Sequence, residues 1–192
     1  MNQQIKDIIS ASIETKQSIL KDEQMIALLD KVASLTADAF KHDHKVLFCG
    51  NGGSAADAQH IAAELSGRFY TDRDPLPAEA LHVNSSYMTA VANDYSYDVV
   101  YSRMIKGTGR KGDILFAIST SGNSKNILLA VEEAKKQGMI TIGLTGETGG
   151  KMKDLCDYIF RIPSNDTPRI QESHIMVGHI ICQLIEEKLF KA

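Results

Sequence analysis

Tryptophan is absent from this sequence of 192 residues, proline occurs only four times and cysteine three times. The cysteines, Cys49, Cys156 and Cys182, are odd in number and far apart, which is not the pattern of a disulfide framework or a zinc knuckle. No apolar run approaches the roughly 18 residues of a membrane span, and the N-terminal segment is amphipathic. We therefore expect a cytoplasmic protein with reduced thiols and no membrane contact.

Neither sign of charge is in large excess. The sequence has 21 Lys and Arg residues against 24 Asp and Glu residues, a formal net charge of −3, so nothing favours nucleic acid or an anionic membrane as a partner. With 43% hydrophobic residues, the length suits one well-buried domain over residues 1–192. Small ligands and protein partners are the classes that remain.

The apolar pattern predicts two helices followed by alternating strands and helices. Apolar residues recur at helical spacing over residues 1–42, with a break near Lys21. Five short apolar runs follow at 46–49, 79–83, 113–118, 141–145 and 158–162, and most are apolar throughout, as strands buried on both faces are. The prediction is an α/β fold: a three-layer αβα sandwich with a five-stranded parallel sheet over residues 43–192, an N-terminal helical extension and a long closing helix from about residue 169 to 190.

Two of the predicted strands run into loops that suit an anion. The first loop is Gly50-Asn51-Gly52-Gly53-Ser54, and the second is Ser119-Thr120-Ser121-Gly122-Asn123-Ser124. In open parallel sheets ligands bind beyond the carboxyl ends of the strands, where helix N-termini present N–H groups. A neutral cradle of hydroxyls and N–H groups suits a phosphate monoester. Either loop alone could be a turn with an N-cap, but two in one sheet weaken that interpretation.

A dinucleotide-binding protein is an alternative. Gly50, Gly52 and Ala55 fit the spacing of the dinucleotide fingerprint, which would indicate an NAD-dependent dehydrogenase. That fold expects an acidic residue at the end of the second strand to hold the ribose, whereas Asn84 and two serines follow the second run here. The sequence therefore lacks the acidic residue that the dinucleotide alternative requires to bind the ribose.

The helix after the first loop carries His60 and Glu64, four residues apart. This spacing places them on one face with Cβ atoms about 6 Å apart, so they could share a metal or a substrate, or form a surface pair of no consequence. The apolar closing helix carries Gln171 and His179. A buried histidine there could simply bind a backbone group, and His174 lies about 140° around the helix from His179.

Four segments in this order, CGNGGSAADAQH, AISTSGNSKN, TGETGGKM and TPRIQESHIMVGH, resemble the SIS domain family and, within it, the phosphoheptose isomerases. The resemblance covers essentially the whole chain. It implies a homotetramer that converts sedoheptulose 7-phosphate to D-glycero-D-manno-heptose 7-phosphate in ADP-heptose and lipopolysaccharide-core synthesis. It also implies that the sugar phosphate is bound by Asn51, Gly52, Gly53, Ser54, Glu64, Asn93, Asp94, Ser119, Thr120, Ser121, Ser124 and Gln171.

The resemblance further implies one zinc ion per subunit, held by His60, Glu64, Gln171 and His179, with Glu64 as catalytic base and His179 as acid. Gln171 and His179 are eight residues apart, a rise of about 12 Å along a straight helix. One metal could take both only if Gln171 turns back from the helix start or if different subunits supply the ligands.

A non-catalytic relative in the family is the adaptor that binds the replication initiator. It lacks the carboxylate and the histidine at the positions of Glu64 and His179, which this chain keeps. The chain departs from some isomerases at Pro168, where they carry an aspartate.

Overall fold

Two helices open the chain in the computed structural model, which describes residues 2–190. Helix α1 spans Asn2–Lys21 and helix α2 spans Glu23–Lys41. Asp22 separates them, and its carboxylate accepts the backbone N–H groups of Gln24 and Met25 as the N-cap of α2. The predicted break near Lys21 is confirmed, while Met1, Lys191 and Ala192 lie outside the described residues.

The alternation of strands and helices follows. The elements are β1 (Val46–Gly50), α3 (Gly53–Ser66), β2 (Ala78–Ala80), α4 (Ser85–Asp94), a 3₁₀ turn (Tyr97–Val99), α5 (Val100–Thr108), β3 (Ile114–Ile118), α6 (Lys125–Lys136), β4 (Ile140–Thr145), a second 3₁₀ turn (Gly150–Asp154), β5 (Tyr158–Arg161) and α7 (Thr167–Phe190). Strand β2 is shorter than predicted because the chain turns at Leu81 and His82. Helices α4 and α5 had no sequence prediction, since both are short, with ten and nine residues.

The five strands form one parallel sheet in the order β2-β1-β3-β4-β5. Alternate side chains of β1 and β3 enter two apolar clusters on opposite faces. Phe48 and Phe116 stack 5.0 Å apart on the face that α2, α3 and α7 cover. Leu47 and Leu115 lie on the face that α4, α5 and α6 cover. These layers confirm the predicted αβα sandwich.

This strand order places the two predicted loops side by side. Strands β1 and β3 are neighbours, and the connections from them leave in opposite directions, which makes the gap between their carboxyl ends the switch point of the sheet. The order also differs from the 3-2-1-4-5 arrangement of the dinucleotide-binding fold. The sheet therefore favours a small-ligand site between β1 and β3 over the dinucleotide alternative.

At the opposite edge of the sheet, where the strands begin, a buried carboxylate binds backbone groups of two loops. Asp113 is 2% exposed and accepts the backbone N–H groups of Lys45 at 3.1 Å and Arg110 at 2.8 Å. The Lys45 ammonium group pairs with the same carboxylate. This edge is thus held together by groups of the chain itself. Between residues 2 and 190, no helix is both long and apolar enough to cross a membrane.

Candidate active site

Helices α3 and α7 bring three of the predicted site residues together. His60 and His179 approach with their Nε2 atoms 3.0 Å apart, and His60 Nε2 lies 3.2 Å from Glu64 Oε1. One ligand atom from each residue lies within 4.8 Å of the others. The His60 side chain is 50% exposed and that of Glu64 is 26% exposed, so the group is open to solvent. A surface pair of no consequence does not account for a third residue that converges from a separate helix.

A glycine allows α7 to approach α3 this closely. Gly178 precedes His179, and a Cβ atom at that position would overlap the Ile61 side chain of α3. The bare backbone of α7 therefore packs directly on Ile61. The ring of the next residue, His179, stacks on the ring of Phe69, with ring centroids 5.8 Å apart and an interplanar angle of 28°. The contact of Gly178 with Ile61 and the stacking of His179 on Phe69 together fix the position of the His179 imidazole.

The donor set of these three residues fits a zinc ion. Two ligand atoms bound to a tetrahedral zinc at 2.0–2.1 Å lie about 3.3 Å from each other. The observed separations of 3.0 and 3.2 Å between His60 Nε2 and its two neighbours match that geometry. Two imidazoles and a carboxylate are also a donor set typical of catalytic zinc. We refer to His60, Glu64 and His179 as the triad.

Gln171, the fourth predicted ligand, lies elsewhere on α7. It is in the second turn of a continuous helix, about 12 Å along the axis from His179. Its amide packs against the first loop, because a Cβ atom on Gly53 would come within 2.5 Å of Gln171 Nε2. Gln171 therefore does not turn back from the helix start, and its place in a metal site stays a prediction.

The side chain of Asn51 joins the first loop to helix α6. Its amide exchanges two hydrogen bonds of 2.9 Å with the amide of Asn126, and its oxygen also lies 3.3 Å from the Tyr97 hydroxyl. Asn126 is 4% exposed. The neighbouring Gly52 has a φ of +56°, a conformation that favours glycine. Sequence reasoning missed Asn126, although a polar residue on the apolar face of α6, four residues before Ala130, was the available signal.

The hydroxyl groups of the second loop face one another. Ser124 occupies the N-cap position of α6, yet its hydroxyl lies 3.1 Å from that of Ser119 instead of capping the helix. Ser121 Oγ is 3.5 Å from Ser119 Oγ. Over residues 2–190, neither α3 nor α6 has a side-chain cap at its N-terminus. An anion at this edge would therefore meet hydroxyls and two helix N-termini.

The other predicted substrate residues lie around this edge. Ser54 is buried in the first turn of α3, and the carbonyl of Thr120 accepts the N–H of Gly146 in the loop after β4. Asn93 and Asp94 are exposed at the end of α4, where the Asn93 amide donates to the Asp94 carboxylate at 3.0 Å. The segment after them reaches the first loop through Tyr97. Their contact with a substrate stays a prediction.

Burial shifts the pKa values of two titratable residues near the site, His174 and Asp57. His174 is fully buried with Nε2 3.2 Å from the Thr145 carbonyl, and burial lowers its pKa to about 4, so it is a neutral core histidine. Burial raises the pKa of Asp57 to about 6 despite the opposing effect of His60. Asp57 precedes His60 and Glu64 at i, i+3, i+7 spacing, the signal by which the sequence could have shown that it shares their face.

Comparisons with known proteins agree with one another. The SIS domain family model matches residues 7–146. A phosphoheptose isomerase of Aneurinibacillus thermoaerophilus is 52% identical over 191 residues, which cover 100% of this chain and 96% of that protein. The structure of the phosphoheptose isomerase of Neisseria gonorrhoeae is similar with a TM-score of 0.91 and 40% identity, covering 97% and 98% of the two chains. That from Francisella tularensis has a TM-score of 0.92 and 34% identity, covering 96% and 97%.

Proposed function

This chain belongs to the SIS domain family and, within it, to the phosphoheptose isomerases, and we propose that the triad and the two loops beside it form its active site. The protein is an aldose–ketose isomerase that interconverts sedoheptulose 7-phosphate and D-glycero-D-manno-heptose 7-phosphate. The observation that carries the site assignment is the convergence of His60, Glu64 and His179 from two neighbouring helices.

The reaction moves a proton between C1 and C2 through an enediol, which requires a base for the carbon acid and an acid for the oxygens. We assign these roles to Glu64 and His179, respectively. The Glu64 carboxylate is partly exposed, so it meets a substrate without first leaving a buried ion pair. Because a carboxylate has two oxygens, one can lie beside His60 while the other accepts the proton.

The phosphate end of the sugar is assigned to the second loop and the first turn of α6. Ser119, Ser121 and Ser124 present clustered hydroxyls there. At Gly52 an added Cβ atom would meet nothing within 4 Å, so this glycine leaves the first loop open for the rest of the chain of the sugar. Binding that holds the phosphate away from the reacting carbons orients C1 and C2 against Glu64 and so contributes to catalysis through positioning.

Zinc, at one ion per subunit, is the proposed metal, with the triad as its ligands and Gln171 of a different subunit as a further ligand. When bound, it would polarise the substrate carbonyl. Measuring bound metal per subunit alongside activity, after chelation and after zinc is added back, separates a catalytic ion from a structural one. We also propose a homotetramer, as the resemblance implies, and a cytoplasmic location, as the sequence composition predicts.

The adaptor and dehydrogenase alternatives are not favoured. Full-length relatives at about half identity carry the isomerase name, and the chain keeps the carboxylate and the imidazole that the adaptor lacks. Strand β2 ends without an acidic residue for a ribose, and Asn84 instead caps α4 through a 3.0 Å bond to the N–H of Tyr87.

Incubation of the purified protein with sedoheptulose 7-phosphate, followed by NMR, tests the proposal. We expect the aldose product to accumulate with zinc present. His179→Ala should lose conversion, whereas His42→Ala, which changes a 66% exposed histidine at the end of α2, should keep it. No conversion by the unaltered protein in the presence of zinc would contradict the proposal and turn attention to a binding role.

A further inference from the structure

A buried ion pair fastens the segment after α3 to the closing helix. Arg73 Nε lies 3.1 Å from Glu186 Oε1, and both side chains are 2% exposed. The Glu186 carboxylate also accepts the backbone N–H groups of Tyr70 at 3.0 Å and Thr71 at 2.9 Å, and more weakly that of Phe69 at 3.3 Å. Charges this deep persist only when their hydrogen bonds are met, and removal of one partner is strongly destabilising.

The protonation state of Glu186 agrees with this geometry. Burial alone would raise the pKa of the carboxyl group, but the three backbone N–H groups and Arg73 outweigh burial and hold the pKa below its usual value. Glu186 is therefore an anion at neutral pH. It holds three consecutive backbone groups of the segment at once, which a neutral side chain with one acceptor oxygen could not do equally well.

Arg73 fixes the end of α3 from the same position. Its Nη2 donates to the Glu64 carbonyl at 2.9 Å, and its Nη1 donates to the Leu65 carbonyl at 2.9 Å and the Gly67 carbonyl at 3.3 Å. Carbonyls in the last turn of a helix lack partners within the helix, so the guanidinium group takes the place of the missing turn. The backbone of Glu64 is thereby bound to a side chain that is itself bound to α7.

Phe69 extends this arrangement to the triad. The backbone N–H of Phe69 faces Glu186, and its ring stacks on His179 with centroids 5.8 Å apart. Glu186 itself lies seven residues, about 10 Å along the helix, beyond His179 and so outside the reacting site. The ring of Phe69 is thus the part of the arrangement that reaches the imidazole.

We propose that Arg73, Glu186 and Phe69 form a positioning clasp that sets the distance between Glu64 on α3 and His179 on α7. The inference rests on the proposed function, because it assigns these residues to the orientation of the proposed acid, base and metal ligands. None of the three acts on the substrate. Substitution of residues that hold metal ligands in position typically lowers metal affinity or activity about 10- to 100-fold.

A matched control is available in the segment before β3. Asp113 is also a buried carboxylate that accepts backbone N–H groups and pairs with a cation, but its partners, Lys45, Arg110 and His44, belong to neither α3 nor α7. Asp113→Asn and Glu186→Gln make the same chemical change at equal depth. A loss that is only structural should appear in both variants, whereas a loss of positioning should appear in Glu186→Gln alone.

The test compares Glu186→Gln, Phe69→Leu and Asp113→Asn with the unaltered protein. The first readout is the ¹H–¹⁵N spectrum of the histidine side chains in metal-free protein, with the His179 signals assigned by their loss in His179→Gln. The others are zinc affinity by chelator competition, kcat and KM. We expect Glu186→Gln and Phe69→Leu to shift the His179 signals and to lower zinc affinity and kcat about 10-fold or more with little change in KM. Asp113→Asn should change none of these.

Unchanged His179 signals, zinc affinity and kcat in Phe69→Leu would overturn the proposal. So would equal losses in Glu186→Gln and Asp113→Asn. If Glu186→Gln does not fold, Phe69→Leu decides the question, since it leaves the ion pair in place. An unaltered protein without isomerase activity would refute the proposed function, and the His179 signals would still report on the clasp.

Discussion

The two edges of the parallel sheet treat their polar groups in opposite ways. At the amino edge, Asp113 is 2% exposed, and its carboxylate is met by two backbone N–H groups and by Lys45. At the carboxyl edge, the N-termini of α3 and α6 have no side-chain cap within the described part of the chain, and farther along α3 the side chains of His60 and Glu64 remain partly open to solvent. Polar groups that stabilise the fold are satisfied by the chain, and those proposed to serve a ligand are left available.

The largest expected effect comes from the proposed base, Glu64 of α3. Glu64→Gln removes the group that accepts the carbon proton while it keeps the size of the side chain, so kcat should fall by about 10²- to 10⁴-fold. Binding of the sugar phosphate, measured by calorimetry, should remain. Glu132→Gln, which changes an exposed glutamate of α6, is the control. Full activity in Glu64→Gln would remove Glu64 from the mechanism.

The amino edge should respond in stability and not in activity. Asp113→Asn exchanges an anion for an amide that cannot satisfy the same donors and Lys45, so the free energy of unfolding should fall by about 2 kcal/mol. Urea unfolding measures this loss, and Asp38→Asn, at a carboxylate 70% exposed on α2, should show almost none. A fall in kcat of the folded Asp113→Asn protein would break the distinction between the two edges.

Loss of one hydroxyl at the second loop should affect binding. Ser121→Ala removes one of the clustered hydroxyls assigned to the phosphate, so KM should rise about 10-fold, equivalent to one lost hydrogen bond to a charged group, with little change in kcat. Ser34→Ala on the exposed side of α2 should leave both constants unchanged. A fall in kcat with an unchanged KM would show that the phosphate assignment is wrong.

The last effect, which appears only below about pH 6.5, concerns the core histidine of α7. Because burial lowers the pKa of His174 from 6.5 to about 4, the unfolded chain binds a proton between these pH values that the folded chain does not. This contribution to stability is complete above about pH 6.5 and is lost as the pH falls towards 4. Urea unfolding across this window should show a shallower pH dependence for His174→Asn than for the unaltered protein. Equal slopes would contradict the interpretation of His174 as a neutral core residue.

Patterns that involve one element at a time were predictable from the sequence. The continuous apolar runs of β1 and β3 predict doubly buried strands, and the four-residue spacing of His60 and Glu64 places them together. Helix α4 was missed although Tyr87, Met88, Val91 and Ala92 recur at helical spacing, because the ten-residue segment is short and Val91 is its one fully buried residue.

Contacts between elements lay beyond the sequence. Nothing in the spacing of residues shows that Gly178 packs on Ile61 and brings His179 to His60, since the two positions are more than a hundred residues apart in the chain. The pairing of Arg73 with Glu186 depends on the same packing of α7 against α3. The order of the strands could not be predicted either, because alternating strands and helices are compatible with several orders of a parallel sheet.

The most direct test of the account follows solvent deuterium into the sugar phosphate by NMR. In D₂O, a proton that passes through Glu64 exchanges with solvent, so we expect deuterium at C1 or C2 as conversion proceeds in the unaltered protein. Glu64→Gln should lose both conversion and exchange while it still binds the sugar phosphate. Exchange in Glu64→Gln at the rate of the unaltered protein would contradict the claim that the triad carries out the proton transfer.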